Sequence, residues 1–136
     1  MTTAALSPTE QTLIDLGIRN YTQRPDGMFV VHGNIDLSRG NLTRLPDLSK
    51  VIVERNFFCS DNQLISLAGA PTSVGGSFSC YNNQLTSLVG APTMIGRIFW
   101  CYNSQLTSLE GMPQKFERII SDFGAFSSAD DIPEHL

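Results

Sequence analysis

Three cysteines, Cys59, Cys80 and Cys101, carry the most versatile chemistry in the chain, and each stands 21 residues from the next. A thiol can serve as nucleophile, metal ligand or half of a disulfide. A disulfide framework wants an even count, and a zinc site wants close pairs such as C-x-x-C. A nucleophile is not usually repeated three times in one register. The thiols therefore read as small buried apolar residues. His32 and His135 share no register with a cysteine, so no Cys/His pair is supported. No paired carboxylates recur at a fixed spacing, no glycine-rich phosphate loop appears, and Gly75-Gly76 reads as a turn of the chain. Asp130, Asp131 and Glu134 form a short acidic, solvating tail. The expectation is a protein with no catalytic residue, no metal and no cofactor.

The cysteine interval is one column of a longer repeat. A shift of 21 superposes Phe57, Phe78 and Phe99, and then Leu64, Leu85 and Leu106. It also superposes Leu67, Leu88 and Leu109, the glycines 69, 90 and 111, the prolines 71, 92 and 113, and the apolar Val74, Ile95 and Phe116. The pattern is F-x-C-x-x-N/S-x-L-x-S-L-x-G-x-P-x-x-φ, with φ apolar, and a fixed period of this length marks stacked repeats. A weaker unit precedes it at a shift of 22, placing Ile35, Leu37, Leu42 and Leu45 on Phe57, Cys59, Leu64 and Leu67. A fragment follows, with Arg118 and Ile120 continuing the columns of Arg97 and Phe99.

Each unit reads as one turn of a coil. Phe-x-Cys is a short strand with both side chains on one face. Leu-x-x-Leu carries the chain round a curve, and Gly-x-Pro is expected to block regular structure on the return. One turn alone cannot bury its apolar residues, whereas stacked turns cover one another and pair their strands in parallel. Equivalent cysteines would then stand ~4.8 Å apart, against the ~3.8 Å Cβ separation of a disulfide, as a ladder of reduced thiols. The structural core on this reading is Phe57, Phe78, Phe99, Cys59, Cys80, Cys101, Leu64, Leu85, Leu106, Leu67, Leu88 and Leu109.

The motif F-x-C-x-x-N-x-L-x-x-L resembles the leucine-rich repeat, with Phe and Cys in place of two leucines. The short period and the proline look like the bacterial 20–22-residue subclass, and N-x-L-T-S-L-x-G-A-P resembles small proteins encoded by bacteriophages and their hosts. The resemblance covers about Ile35–Phe123. It implies a β-rich α/β solenoid with a short parallel sheet, and a role for Asn62 and Asn83 in satisfying backbone groups of the turn. Gly40 and Ser104 break the asparagine column.

The chain has 136 residues, enough for one domain. Its divisions are expected as a capping helix over 7–20, an edge strand or first rung over 28–34, repeats over 35–115, a C-terminal cap over 116–126 and a loose tail over 127–136. Ser7-Pro8-Thr9-Glu10 is a capping box with proline at the first helical position, which starts a helix over Thr9–Leu16 that Gly17 ends. Ile119, Ile120, Phe123 and Phe126 either finish the core or leave an edge through which two copies meet end to end. No secretory signal and no membrane-length apolar run appears, so a cytoplasmic location without membrane contact is expected, in the host cytoplasm if the chain is phage-encoded.

Alternation turns the residues between the core positions outward. They are Phe58, Ser79 and Trp100, with Ser60, Tyr81 and Tyr102 beside them. Four large rings in six outward positions exceed what a solvated face needs, and Trp and Tyr dominate binding hot spots. From residue 56 to 109 only Asp61 and Arg97 are charged, so contact would rest on shape, rings and hydrogen bonds. Arg55, Arg97 and Arg118 share a column interrupted by Gly76. The expected function is a non-catalytic module that binds a protein partner through the aromatic strand face. The phage-type resemblance implies an inhibitor of a host defence or other complex. Two alternatives use the same face: stacking of single-stranded nucleic acid bases, and a recognition arm of an enzyme complex. The net charge of −4 and the lack of a basic groove count against nucleic acid.

Overall fold

The computed structural model describes residues 6–136. The N-terminal start, which carried the reading of no secretory signal, therefore lies partly outside the described residues. Among the described residues one α-helix, α1 (Pro8–Asp15), begins where the capping box placed it, with the Ser7 hydroxyl accepting from the Glu10 N–H at 3.1 Å. It stops at Leu16, followed by Gly17 at φ +75°.

The rest is a β-solenoid of about four turns walled by two sheets rather than the one expected. Sheet A runs β1 (Tyr21–Gln23), β2 (Phe29–Val31), β4 (Val51–Val53), β6 (Ser73–Val74) and β8 (Met94–Ile95). Sheet B runs from β3 (Ile35–Asp36) through β5 (Phe57–Phe58), β7 (Phe78–Ser79), β9 (Ile98–Trp100) and β10 (Arg118–Ser121) to β11 (Gly124–Phe126). Within each coil a strand of sheet A turns a short corner into a strand of sheet B. Consecutive coils pair in parallel, Phe57 beside Phe78 and Phe78 beside Phe99.

Sheet A corrects the expectation that Gly-x-Pro leaves the return irregular. Proline lacks an N–H only at its own position. Two residues later Ser73 pairs with Ile52 and Met94 with Ser73, and Val74 and Ile95 extend the same ladder. The strand over 28–34 is likewise not an edge. β2 is covered on its outer side by β1, which runs antiparallel to it and was not foreseen.

The core columns lie inside. Phe57, Phe78, Phe99, Cys59, Cys80, Cys101, Leu64, Leu67, Leu85 and Leu88 are fully buried and Leu109 nearly so, while Leu106 is only half-buried. Phe57 and Phe78 stack at 5.1 Å, and Phe78 meets Phe99 edge-on at 5.4 Å. Val53, Val74 and Ile95 of sheet A and Leu13 of α1 join the same core.

Each corner has its own chemistry. Asp61, Asn82 and Asn103 hold φ of 56°, 56° and 53°, a left-handed conformation that Asx side chains tolerate, and Arg39 at 57° occupies the same place one coil earlier. Asn62 donates to the carbonyls of Leu37, Cys59 and Ser60 and accepts from the N–H groups of Gly40 and Leu42. Asn83 repeats this one coil later, donating to Cys59, Cys80 and Tyr81 and accepting from Leu64. Neighbouring coils approach so closely at Gly96 that an added Cβ would collide with the Gly75 carbonyl oxygen.

Two expectations fail at the far end. The last step is 20 residues, since Ile119 pairs with Phe99 and Arg118 with Ile98. Ile119 is the buried residue, and Ile120 stands outward beside Trp100. The slip removes Arg118 from the column of Arg55 and Arg97. The tail over 127–136 is not loose. It contains a 3₁₀ turn (Ala129–Asp131), packs Ile132 and Leu136 against the core, and offers the Leu136 carbonyl to the Leu109 N–H at 2.8 Å.

Candidate functional site: the outer face of sheet B

The pleat of β5, β7 and β9 turns one row of side chains out for every row it buries. The first outward row, across the strands, is Asp36, Phe58, Ser79, Trp100 and Ile120. The second is Ser38, Ser60, Tyr81 and Tyr102, held by backbone bonds such as Arg39 N–H to Ser60 O at 3.1 Å and Asp61 N–H to Tyr81 O at 3.1 Å. Phe58, Tyr81, Trp100 and Tyr102 are half-buried. Tyr81 and Tyr102 lie face to face, 4.9 Å apart and 4° from parallel, and Trp100 meets Tyr102 edge-on at 6.4 Å.

Ser60 and Ser79 share these rows but not the expected exposure. They are 2% and 5% exposed, Ser60 standing in its row between Ser38 and Tyr81 and Ser79 between Phe58 and Trp100. The Ser60 hydroxyl has no hydrogen-bond partner, which is costly for a buried donor. Beside it lies a groove of about 360 Å³ lined by Asp36, Ser38, Arg39, Phe58, Asp61 and Tyr81. Asp61 accepts from the Asn82 side chain at 2.7 Å, and Asn103 in turn donates to Asn82, so the rows are bordered by a ladder of Asx side chains. At the far end Asp122 caps the Asn103 N–H at 2.9 Å.

The cysteines offer no reactive centre. Burial pushes the Cys101 thiol up to about 12 and raises Cys59 and Cys80 as well, so thiolate is scarce at neutral pH. Among the described residues no group of three His, Cys, Asp or Glu is placed to hold a metal ion. No helix among them is long and apolar enough to cross a membrane.

Sequence reasoning missed one polar chain. On the outer face of sheet A the Thr22 hydroxyl stands 2.9 Å from His32 Nε2, and His32 Nδ1 stands 2.7 Å from Glu54 Oε1. The order hydroxyl, imidazole, carboxylate matches a nucleophile, base and orienting group. Its carboxylate is 52% exposed, so it is a solvated surface chain. The 22-residue interval from His32 to Glu54 was the only signal for it. Comparison of the chain with protein-family models, curated proteins and solved structures returns no match.

Proposed function

We propose that this chain is a non-catalytic binding module of leucine-rich repeat type that grips a protein partner with the outer face of sheet B. The observation that carries the reading is the row pair itself. Phe58, Tyr81, Trp100 and Tyr102 stand on the solvent side of strands whose core needs are already met by fully buried Phe and Cys residues. Rings placed there add contact area that folding alone does not demand. In this reading α1 caps the front of the stack, the hairpin of β10 and β11 with the tail caps the back, and the partner is occluded or bridged by contact in the cytoplasm. Inhibition of a host complex is the narrower form that the phage-type resemblance supports.

Asp36, Asp61 and Asp122 at the borders of the face would repel phosphate, which favours protein over single-stranded nucleic acid. The test is affinity capture from native host lysate with wild-type, Trp100→Ala and Tyr81→Ala baits of matched circular dichroism. A specific protein retained by wild type and lost by both variants is expected. Equal retention by all three, or salt-sensitive retention of single-stranded oligonucleotide instead, would overturn the reading.

A further inference from the structure

We propose that the groove at the front of this face is a receptor for one arginine side chain of the partner. The inference rests on the reading of sheet B as the binding face and deepens it. The ladder Ser38, Ser60, Tyr81, Tyr102 contains two small residues followed by two rings. One face of Tyr81 is taken up by Tyr102 at 4.9 Å. On the side away from Tyr102, Tyr81 lines the groove of about 360 Å³ together with Phe58, Ser38 and Arg39. That volume is at the lower end for a ligand site and suits a single side chain. A guanidinium lying on a free tyrosine face gains cation–π attraction.

The polar lining has the matching sign. Asp36 accepts from the Ser38 N–H through Oδ1, which leaves its second oxygen for an incoming cation, while Asp61 accepts from Asn82 through Oδ1 and turns Oδ2 toward Arg39. Beside the groove Ser60 is 2% exposed, and its buried hydroxyl has no partner. The one cation in the groove, Arg39, is 83% exposed along its side chain and only 3.8 Å from Asp61 through Nε. It is a loose occupant of the mouth that an arriving guanidinium displaces. Arginine is favoured over lysine because its planar fork can stack on the ring and engage carboxylate oxygens in pairs.

The experiment titrates the full chain with acetyl-Gly-Leu-Arg-Leu-Gly-amide and with the same peptide carrying lysine or norleucine, read by calorimetry and the Tyr81 ring resonances. Saturable binding in the order arginine, lysine, norleucine is expected. Asp36→Asn and Asp61→Asn each weaken the arginine peptide by about tenfold, the scale of a charge-assisted hydrogen bond. Tyr81→Phe keeps it and Tyr81→Ala abolishes it. Arg39→Asn, which places in this column the residue found at Asn82 and Asn103, strengthens it. Norleucine binding as tight as arginine, or indifference to both aspartate variants, overturns the proposal. If the aspartate variants are silent while Trp100→Ala still loses its captured partner, the receptor fails and the binding face stands. If no peptide saturates and Trp100→Ala keeps its partner, both fail.

Discussion

The second and third coils and the last one are written in the same repeat but close their corners by different means. Asn62 and Asn83 each collect three carbonyls from their own and the preceding coil. The last coil has Ser104 in that place, too short to reach, and its buried hydroxyl has no partner. The N–H groups of Asn103 and Ser104 turn instead to the carboxylate of Asp122. Leu88 gives its N–H to Glu110 of the following coil, whereas Leu109 gives its own to Leu136 of the tail. The interior coils are completed by their neighbours. The last coil borrows from chain that lies outside the period.

The largest effect that would break this contrast is at the central ring. Phe78→Ala removes a fully buried side chain packed between two others and should cost about 3–5 kcal/mol in urea unfolding. Phe116→Ala, at a half-buried site in the last coil, should cost well under half of that. Next comes the asparagine column. Asn83→Ala strands buried backbone groups and should lose about 2–3 kcal/mol. Ser104→Ala discards a hydroxyl that satisfies nothing and should change stability by less than about 0.5 kcal/mol.

Smaller again is removal of residues 128–136, expected to cost about 1–2 kcal/mol through the half-buried Ile132 and Leu136. Hydrogen exchange should locate that loss at the Leu109 N–H, with the amides of Leu64 and Leu85 unchanged. The smallest effect is on pH. A thiol held above its ordinary value of 9.0 when folded keeps its proton while the unfolded chain releases it. Stability from the cysteines is therefore complete below about 9 and declines as pH rises toward about 12 for Cys101. Cys101→Ala should flatten part of that decline in unfolding curves taken from pH 8 to 10.5. In native labelling Cys101, in the borrowed coil, should react before Cys80.

Much of this was legible in the repeat, because residues 21 apart must share an environment once coils stack. The inward Phe, Cys and Leu columns followed from that, whereas the role of Asn62 and Asn83 was implied by the leucine-rich repeat resemblance. The second sheet did not, since two-residue strands such as Ser73–Val74 carry no alternation long enough to read. The slip at Ile119 was hidden by a like-for-like ambiguity, because Ile119 and Ile120 can each fill an apolar column. The docked tail was invisible because its contacts are tertiary and belong to no period. On the outer face the rings were foreseen, while the groove was not. It arises from where small residues fall in the ladder, with Ser60 beside Tyr81, and from Arg39 and Asp61 meeting across 22 residues.

The most direct measurement is the unfolding free energy of the double variant Tyr81→Ser, Trp100→Ser, which puts at both positions the residue that Ser60 and Ser79 already supply in the same rows. If the rings exist to meet a partner, the variant unfolds cooperatively with an unchanged denaturant slope and a loss of about 1–2 kcal/mol. A loss rivalling that of Phe78→Ala, or a chain that no longer folds, would mean that the rings hold the solenoid together.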